Sequence, residues 1–396
     1  MSRRGSTAEL KGRFAPQKLD TRDKQHSIAG YVIRVLHRNL VAVGNDRKPV
    51  EQIGAFVDAL HWRRQVGNDN QELTFCIYSG GKNDRLVEDA ISTLFSSLNE
   101  NERENLRVMK DDQPANLAAP DFAALNTKWE TDLSSREIES LPALADELQR
   151  IAEAPSFRWY RNVTEKVFSG RIEGLEVCTL SPETNEIVFQ VGRIGIKGDE
   201  SKARRRFREL ARAPKVIYKA GQLQEAARFV KLLAEDRKSG SLRNVEREHH
   251  LESRILRQAI RVGIEGIGSV DPVIPQDRLP FQFPTLWSFA DSPRLIDVLG
   301  RVGKTPWVLE LKEFGSKGRG QYYRYGIAQA VLYRHFIRTA KDLHFWFEDY
   351  GLEPKDCQAA VAFPRLHGDA AQRLRDEHTS VARMFGIQIV ELSVER

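Results

Sequence analysis

The sequence predicts an α/β protein of two domains, and three observations carry that prediction. The apolar run 73–78 leads through Ser79-Gly80-Gly81 into a helix-period pattern at 83–98, a strand–turn–helix unit. Beyond residue 241 the patterns run helix, two strands, helix, strand, helix, strand, the order of an α/β layer. Between these regions lies Asp236-Arg237-Lys238-Ser239-Gly240-Ser241, the chain's best linker by composition. It divides a mixed α/β N-terminal domain at 26–235 from a second α/β domain at 241–396.

In order along the chain, residues 1–25 are polar and basic (Arg3, Arg4, Lys11, Arg13, Lys18, Arg22) and are expected to be a flexible N-terminus. Residues 31–36 read as a strand, and 53–64 as an amphipathic helix anchored by Phe56, Leu60 and Trp62. The 99–133 stretch, with Pro114 and Pro120, reads as a long loop. A helix is expected at 135–154, interrupted near Pro142, and a hairpin at 175–180 with 186–191. Helices follow at 201–211 and 222–235.

The second domain opens with a helix at 243–262, and an early strand falls near 286–289. Strands are expected at 294–299 and 307–314, then a helix at 322–339 and a strand at 358–363. A helix from Asp369 to a Gly386 cap and a last strand at 387–392 close the chain.

Composition excludes several classes. Hydrophobic residues at 41% and charged ones at 29% fit a globular core and exclude general disorder or a fibrous repeat. No stretch approaches the roughly 18–20 apolar residues of a membrane span. The start, Met1-Ser2-Arg3-Arg4-Gly5-Ser6, has no apolar run behind its charge, so no secretory signal is expected. Three scattered cysteines argue against a disulfide framework or a zinc site, and the cytoplasm is the expected compartment. The net charge of +6 is compatible with a polyanionic partner without requiring one.

The sharpest chemical signal is Trp307-Val308-Leu309-Glu310-Leu311-Lys312. A strand period puts Trp307, Leu309 and Leu311 on one side and Glu310 with Lys312 on the other. Ionised groups near a core are expensive unless paired or functional. Upstream, Asp297 interrupts another apolar strand, and antiparallel pairing would bring it beside Glu310. Two hard carboxylate ligands suit Mg²⁺, and Lys312 would stand where it can position or deprotonate an attacking water.

Asp297…Glu310-Leu311-Lys312 resembles the PD-(D/E)XK nuclease superfamily, whose core has the element order traced above. Gln329-Ala330-Val331-Leu332-Tyr333 is similar to the Gln-x-x-x-Tyr motif of its RecB-type branch, and Glu252 matches the acid many members carry on the first core helix. Ile296 stands where the motif's Pro is often found. The layout, a variable N-terminal region before such a domain, is similar to Shedu-type phage-defence nucleases.

The resemblance implies a restriction-endonuclease-like α/β core over 241–396 and a Mg²⁺-dependent endodeoxyribonuclease, with Mn²⁺ able to substitute. It implies Asp297, Glu310 and Glu252 as metal ligands, with the Leu311 carbonyl as a further donor. Lys312 would orient the nucleophile and stabilise charge on phosphorus, and Gln329 would brace the site. DNA is the expected partner, with RNA open, and a homo-oligomer is expected by analogy. Lys317, Arg319, Arg324 and Tyr333 are expected to meet nucleic acid.

Other motifs have bland readings beside sharp ones. The basic stretch around Arg204, Arg205 and Arg206 either lines a DNA channel or is a solvated helix face paired with Glu200 and Glu209. Ser79-Gly80-Gly81-Lys82-Asn83-Asp84 faintly resembles the phosphate loop of ATP pyrophosphatases, although a turn with a helix cap accounts for it more simply. His249 and His250 read as ordinary helix residues. Two rival functions follow: a nuclease fold kept only for binding or assembly, and a nucleotide-using enzyme centred on the Ser79–Asp84 loop.

Overall fold

A computed structural model describes residues 5–14, 39–65, 72–81, 83–122, 142–162, 167–181, 183–191, 200–239, 248–273, 283–288, 293–312, 319–365 and 369–393. The fold is mixed α/β with several sheets. The expected strand at 31–36 lies outside the described residues.

The first sheet runs β1 (Asn39–Ala42), β2 (Leu73–Ile77), β3 (Leu106–Lys110), β4 (Gln113–Pro114), with the first three parallel and β4 antiparallel at the edge. Parallel neighbours need crossovers, here the helices Pro49–Gln65 and Asp84–Ser96. Strand β2 is nearly continuous in apolar residues because both its faces are covered. The expected loop at 99–133 thus contains a short helix, Glu100–Glu104, and strands β3 and β4. Residues 123–141 lie outside the described residues.

The N-terminus departs from expectation as well. Thr7–Phe14 is a helix with Leu10 fully buried. The Thr7 amide and hydroxyl donate to Asp46 Oδ1 at 3.0 and 2.6 Å, and Asn45 N donates to the Gly5 carbonyl. These tertiary bonds hold a segment whose composition alone gives it no core.

The second sheet is an antiparallel meander, β5 (Phe157–Asn162), β6 (Val167–Ile172), β7 (Leu175–Ser181), β8 (Glu186–Phe189), β9 (Val216–Tyr218). Helices Ala143–Ala152, Glu200–Ala211 and Leu223–Ser239 share its core, in which Phe157, Trp159, Phe189 and Phe207 are all but fully buried. The first of these helices starts after Pro142, where an interruption was expected; residues 135–141 of that expectation lie outside the described residues. The last runs on through 236–239, where a linker was expected. Asp236 is buried against Arg206 at 2.6 Å and Arg237 is buried with it, so charges that read as solvated are held in tertiary contacts.

The third sheet holds β10 (Val262–Ile264) and β11 (Gly268–Pro272). After a separate two-stranded ribbon, β12 (Phe283–Ser288) with β13 (Pro293–Ile296), come β14 (Val298–Val302), β15 (Thr305–Leu311), β16 (Gln358–Pro364) and β17 (Gln388–Leu392). The order is β10-β11-β14-β15-β16-β17. Strand β14 is antiparallel to β15, whereas β15, β16 and β17 are parallel and joined by the helices Arg319–Thr339 and Asp369–Met384. The strand expected near 286–289 is β12, which pairs with β13 instead of entering this sheet.

One face of the third sheet packs on the helix Glu248–Leu256 through Leu251 and Ile255. The other face carries Arg319–Thr339, and that helix also packs against Pro49–Gln65 and Asp84–Ser96 of the first sheet. Phe56, Ile91 and Leu94 therefore share one apolar cluster with Val331, Phe336 and Phe385. His335 Nε2 lies 2.7 Å from the Pro120 carbonyl, and Asn99 N donates to the Met384 carbonyl at 2.9 Å. Arg334 donates to the Phe385 and Gly386 carbonyls, closing the end of the Asp369–Met384 helix as cations do at helix C-termini.

Candidate active site

Strand β15 places its side chains as its period dictates. Trp307, Leu309 and Leu311 enter the core beneath the Glu248–Leu256 helix, while Val308 joins the core on the opposite face. Glu310 and Lys312 follow Val308. Strand β14 pairs Val298 with Leu309, so the register continued by one residue sets Asp297 opposite Glu310. The expected strand at 294–299 is broken at Asp297, which occupies the bend between β13 and β14. There Asp297 Oδ2 accepts a 2.8 Å hydrogen bond from Leu311 N.

Glu310 and Lys312 are both buried, and Lys312 Nζ donates to Glu310 Oε1 at 2.6 Å. Glu310 Oε2 is buried with no hydrogen-bond partner among the described residues. Burial, then the neighbouring charge of Asp297, pushes the Glu310 carboxyl well above the usual carboxylate range against the pull of Lys312. Burial alone would lower Lys312, but the charges of Glu310, Glu248 and Asp297 outweigh it and raise its affinity for the proton. In the metal-free protein Lys312 is therefore a cation suited to stabilising negative charge.

The helix acid that reaches this pair is Glu248, with Oε1 3.4 Å from Lys312 Nζ. Glu252 is buried one turn further along, and its charge acts on Arg171 and Tyr160 of the second sheet. The 3.6-residue period puts both acids on one face, and only the neighbours at each turn distinguish them.

From the other side, the Arg319–Thr339 helix lies against the lysine. A Cβ at Gly326 would come within 3.1 Å of Val361 and 3.2 Å of the Lys312 Cγ, so the missing side chain permits this approach. A glycine inside a helix costs about 1 kcal/mol relative to alanine, and that cost is the signal that could have found it.

Gln329, one turn beyond Gly326, donates from Nε2 to the Tyr333 hydroxyl at 3.0 Å. Tyr333 itself is 1% exposed, so its ring packs in the core and offers no face to nucleic acid. Lys317 lies outside the described residues, as do the side chains of Arg319 and Arg324. Arg204 and Arg205 are exposed. Arg206 is partly exposed and paired with Asp236 and Glu209.

Three amides of the Ser79–Asp84 loop are occupied by carboxylates. Gly80 N and Gly81 N donate to Asp84 at 2.6 and 2.7 Å, and Ser79 N donates to Asp111 at 2.9 Å. These donors are the ones a phosphate cradle would need, and the protein's own carboxylates already hold them.

Among the described residues, no group of three or more His, Cys, Asp or Glu side chains could hold a metal unaided. Asp297 and Glu310 nevertheless suit Mg²⁺, which takes one or two carboxylates and fills its other positions with water and substrate phosphate. A divalent cation would use the unbonded Glu310 oxygen and offset the repulsion between the two carboxylates. No protein-family model, curated protein or solved structure matches the chain. Among the described residues no helix is long and apolar enough to cross a membrane.

Proposed function

We propose that the chain is a metal-dependent nuclease that hydrolyses phosphodiester bonds, with DNA as its substrate and phage defence or DNA processing as its setting. The observation that carries this reading is the buried Glu310 at the end of a central strand. It lies opposite Asp297, is bonded to Lys312 and keeps one oxygen unused. The order hairpin, β14, β15, helix, β16, helix, β17 supports a restriction-endonuclease-like core for this part of the chain.

Asp297 and Glu310 would hold Mg²⁺, which when bound supplies Lewis-acid activation of the phosphodiester. Leu311 N fixes the Asp297 carboxylate through its hydrogen bond. Lys312, held cationic by its acidic neighbours, stabilises negative charge developing on the phosphoryl oxygens. Glu248 stands beside Lys312 and joins Glu252 as a candidate acid from the same helix. Arg204 and Arg205 are candidates for sequence-independent phosphate contacts.

The test incubates the protein with supercoiled plasmid, linear duplex, single-stranded DNA and RNA in Mg²⁺ or Mn²⁺, beside Glu310→Ala and Lys312→Ala. Cleavage by wild type that both variants lose supports the reading and ranks the substrates. Equal cleavage by all three overturns it. Mg²⁺ binding by calorimetry without cleavage would favour a fold kept for binding or assembly.

A further inference from the structure

Over the described residues the Glu248–Leu256 helix is short, and tertiary contacts hold it in place. Leu251 and Ile255 bury its apolar stripe on the third sheet, and Glu248 in its first turn reaches Lys312. Its remaining face meets the second sheet. Ser253 is hydrogen-bonded to Tyr160, and Arg257, just past the helix, lies 3.4 Å from the Pro155 carbonyl.

The centre of this contact is Glu173. Its carboxylate faces Arg257, with Oε1 3.6 Å from Nη2, and Oε2 lies 3.5 Å from His250 Nδ1 in a contact without a hydrogen bond, to an imidazole whose proton affinity burial lowers. Its carbonyl accepts from Arg237 at 3.3 Å. Glu173 and Gly174 form the two-residue turn between β6 and β7, with φ of +47° and +80°. Such a turn favours Asn, Asp or Gly at its first position, and a glutamate there stores roughly 1 kcal/mol of backbone strain. Asparagine would suit the turn better but would not present a negative charge to Arg257. A local choice that opposes its own turn while bridging two sheets points to a role outside the turn.

We propose that Glu173 is a positioning residue: the β6–β7 turn grips the Glu248–Leu256 helix and thereby sets Glu248 against Lys312. The second sheet is then coupled to the site, and whatever binds or moves it acts on the lysine through this helix. The catalytic consequence rests on the nuclease reading, whereas the grip itself does not.

The test compares wild type with Glu173→Asn, Arg257→Gln and Glu248→Gln. Three readouts apply: amide exchange over 251–256, the NMR signal of the Lys312 ε-methylene assigned with Lys312→Arg, and DNA cleavage. Glu173→Asn relieves the turn, so it should unfold no earlier than wild type. Exchange in the helix should be about tenfold faster in Glu173→Asn and Arg257→Gln. Their Lys312 signals should move toward that of Glu248→Gln, and kcat should fall about fivefold with KM little changed. Helix exchange and a Lys312 signal that stay at wild-type values in both variants would overturn the proposal. So would slower cleavage with the Lys312 signal unmoved. If wild type cleaves nothing, the nuclease reading fails by itself, while exchange and the lysine signal still decide the role of Glu173.

Discussion

Strands β2 and β15 both end beside paired carboxylates, and the two ends are wired in opposite ways. After β2, Asp84 accepts from two backbone amides, and Asp111 accepts from the Ser79 amide and hydroxyl. At the end of β15, Asp297 accepts from one amide, but Glu310 is buried beside it with an oxygen left over. Carboxylates spent on amides fix a turn and a helix start. A buried carboxylate oxygen without a hydrogen bond costs free energy, which at Glu310 the Lys312 charge offsets and a bound cation would offset further.

The largest effect should separate the two ends outright. Glu310→Ala or Lys312→Ala should lower cleavage at least about a thousandfold, as loss of a charge-stabilising group does. Asp84→Ala should leave cleavage near wild type. Comparable activity losses at both strand ends would erase the distinction.

Asp84→Ala should instead destabilise the fold by about 1–2 kcal/mol, from two lost charge-assisted hydrogen bonds at a helix start. Urea denaturation would measure this, and a midpoint equal to wild type would show that the loop does not depend on its carboxylate.

The third contrast concerns pH. Glu310 has a folded pKa raised above its ordinary 4.5, so its proton binds more tightly in the folded state. The stability this contributes is fully present below the ordinary value and is lost as pH rises through the folded one. Without divalent metal, thermal stability should therefore fall from about pH 5 toward neutrality. Glu310→Gln should flatten that fall and remove stabilisation by Mg²⁺. Scanning calorimetry with EDTA and with Mg²⁺ would decide it. A lower melting temperature in Glu310→Gln would mean that the wild-type carboxylate is stabilising.

The smallest effect is expected at Gly326. Alanine gains about 1 kcal/mol of helix propensity but presses on Val361 and Lys312. Stability should stay within about 1 kcal/mol of wild type while kcat falls several-fold, because a few tenths of an ångström move the lysine. Stopped assays combined with denaturation would show whether activity and stability separate.

By itself the sequence determined what local periodicity controls. Strand alternation put Glu310 and Lys312 on one face of β15, antiparallel register brought Asp297 opposite, and the 322–339 pattern gave most of the crossover helix. The hairpin of β7 and β8 and the unit from β2 through the Asp84–Ser96 helix were legible for the same reason.

Tertiary structure decided what depends on a distant neighbour. Glu248 and Glu252 share a helix face, so only the placement of Lys312 and Arg171 tells them apart. Tyr333 resembled a nucleic-acid contact until core packing covered it, and Arg206 resembled a free cation until Asp236 claimed it. Residues 236–239 had the composition of a linker, yet Asp236 paired with Arg206 and Arg237 bonded to the Glu173 carbonyl hold the helix in tertiary contacts. Charge composition records which residues can meet water or a ligand. Whether they do is set by segments far away in sequence, whose approach no local pattern encodes.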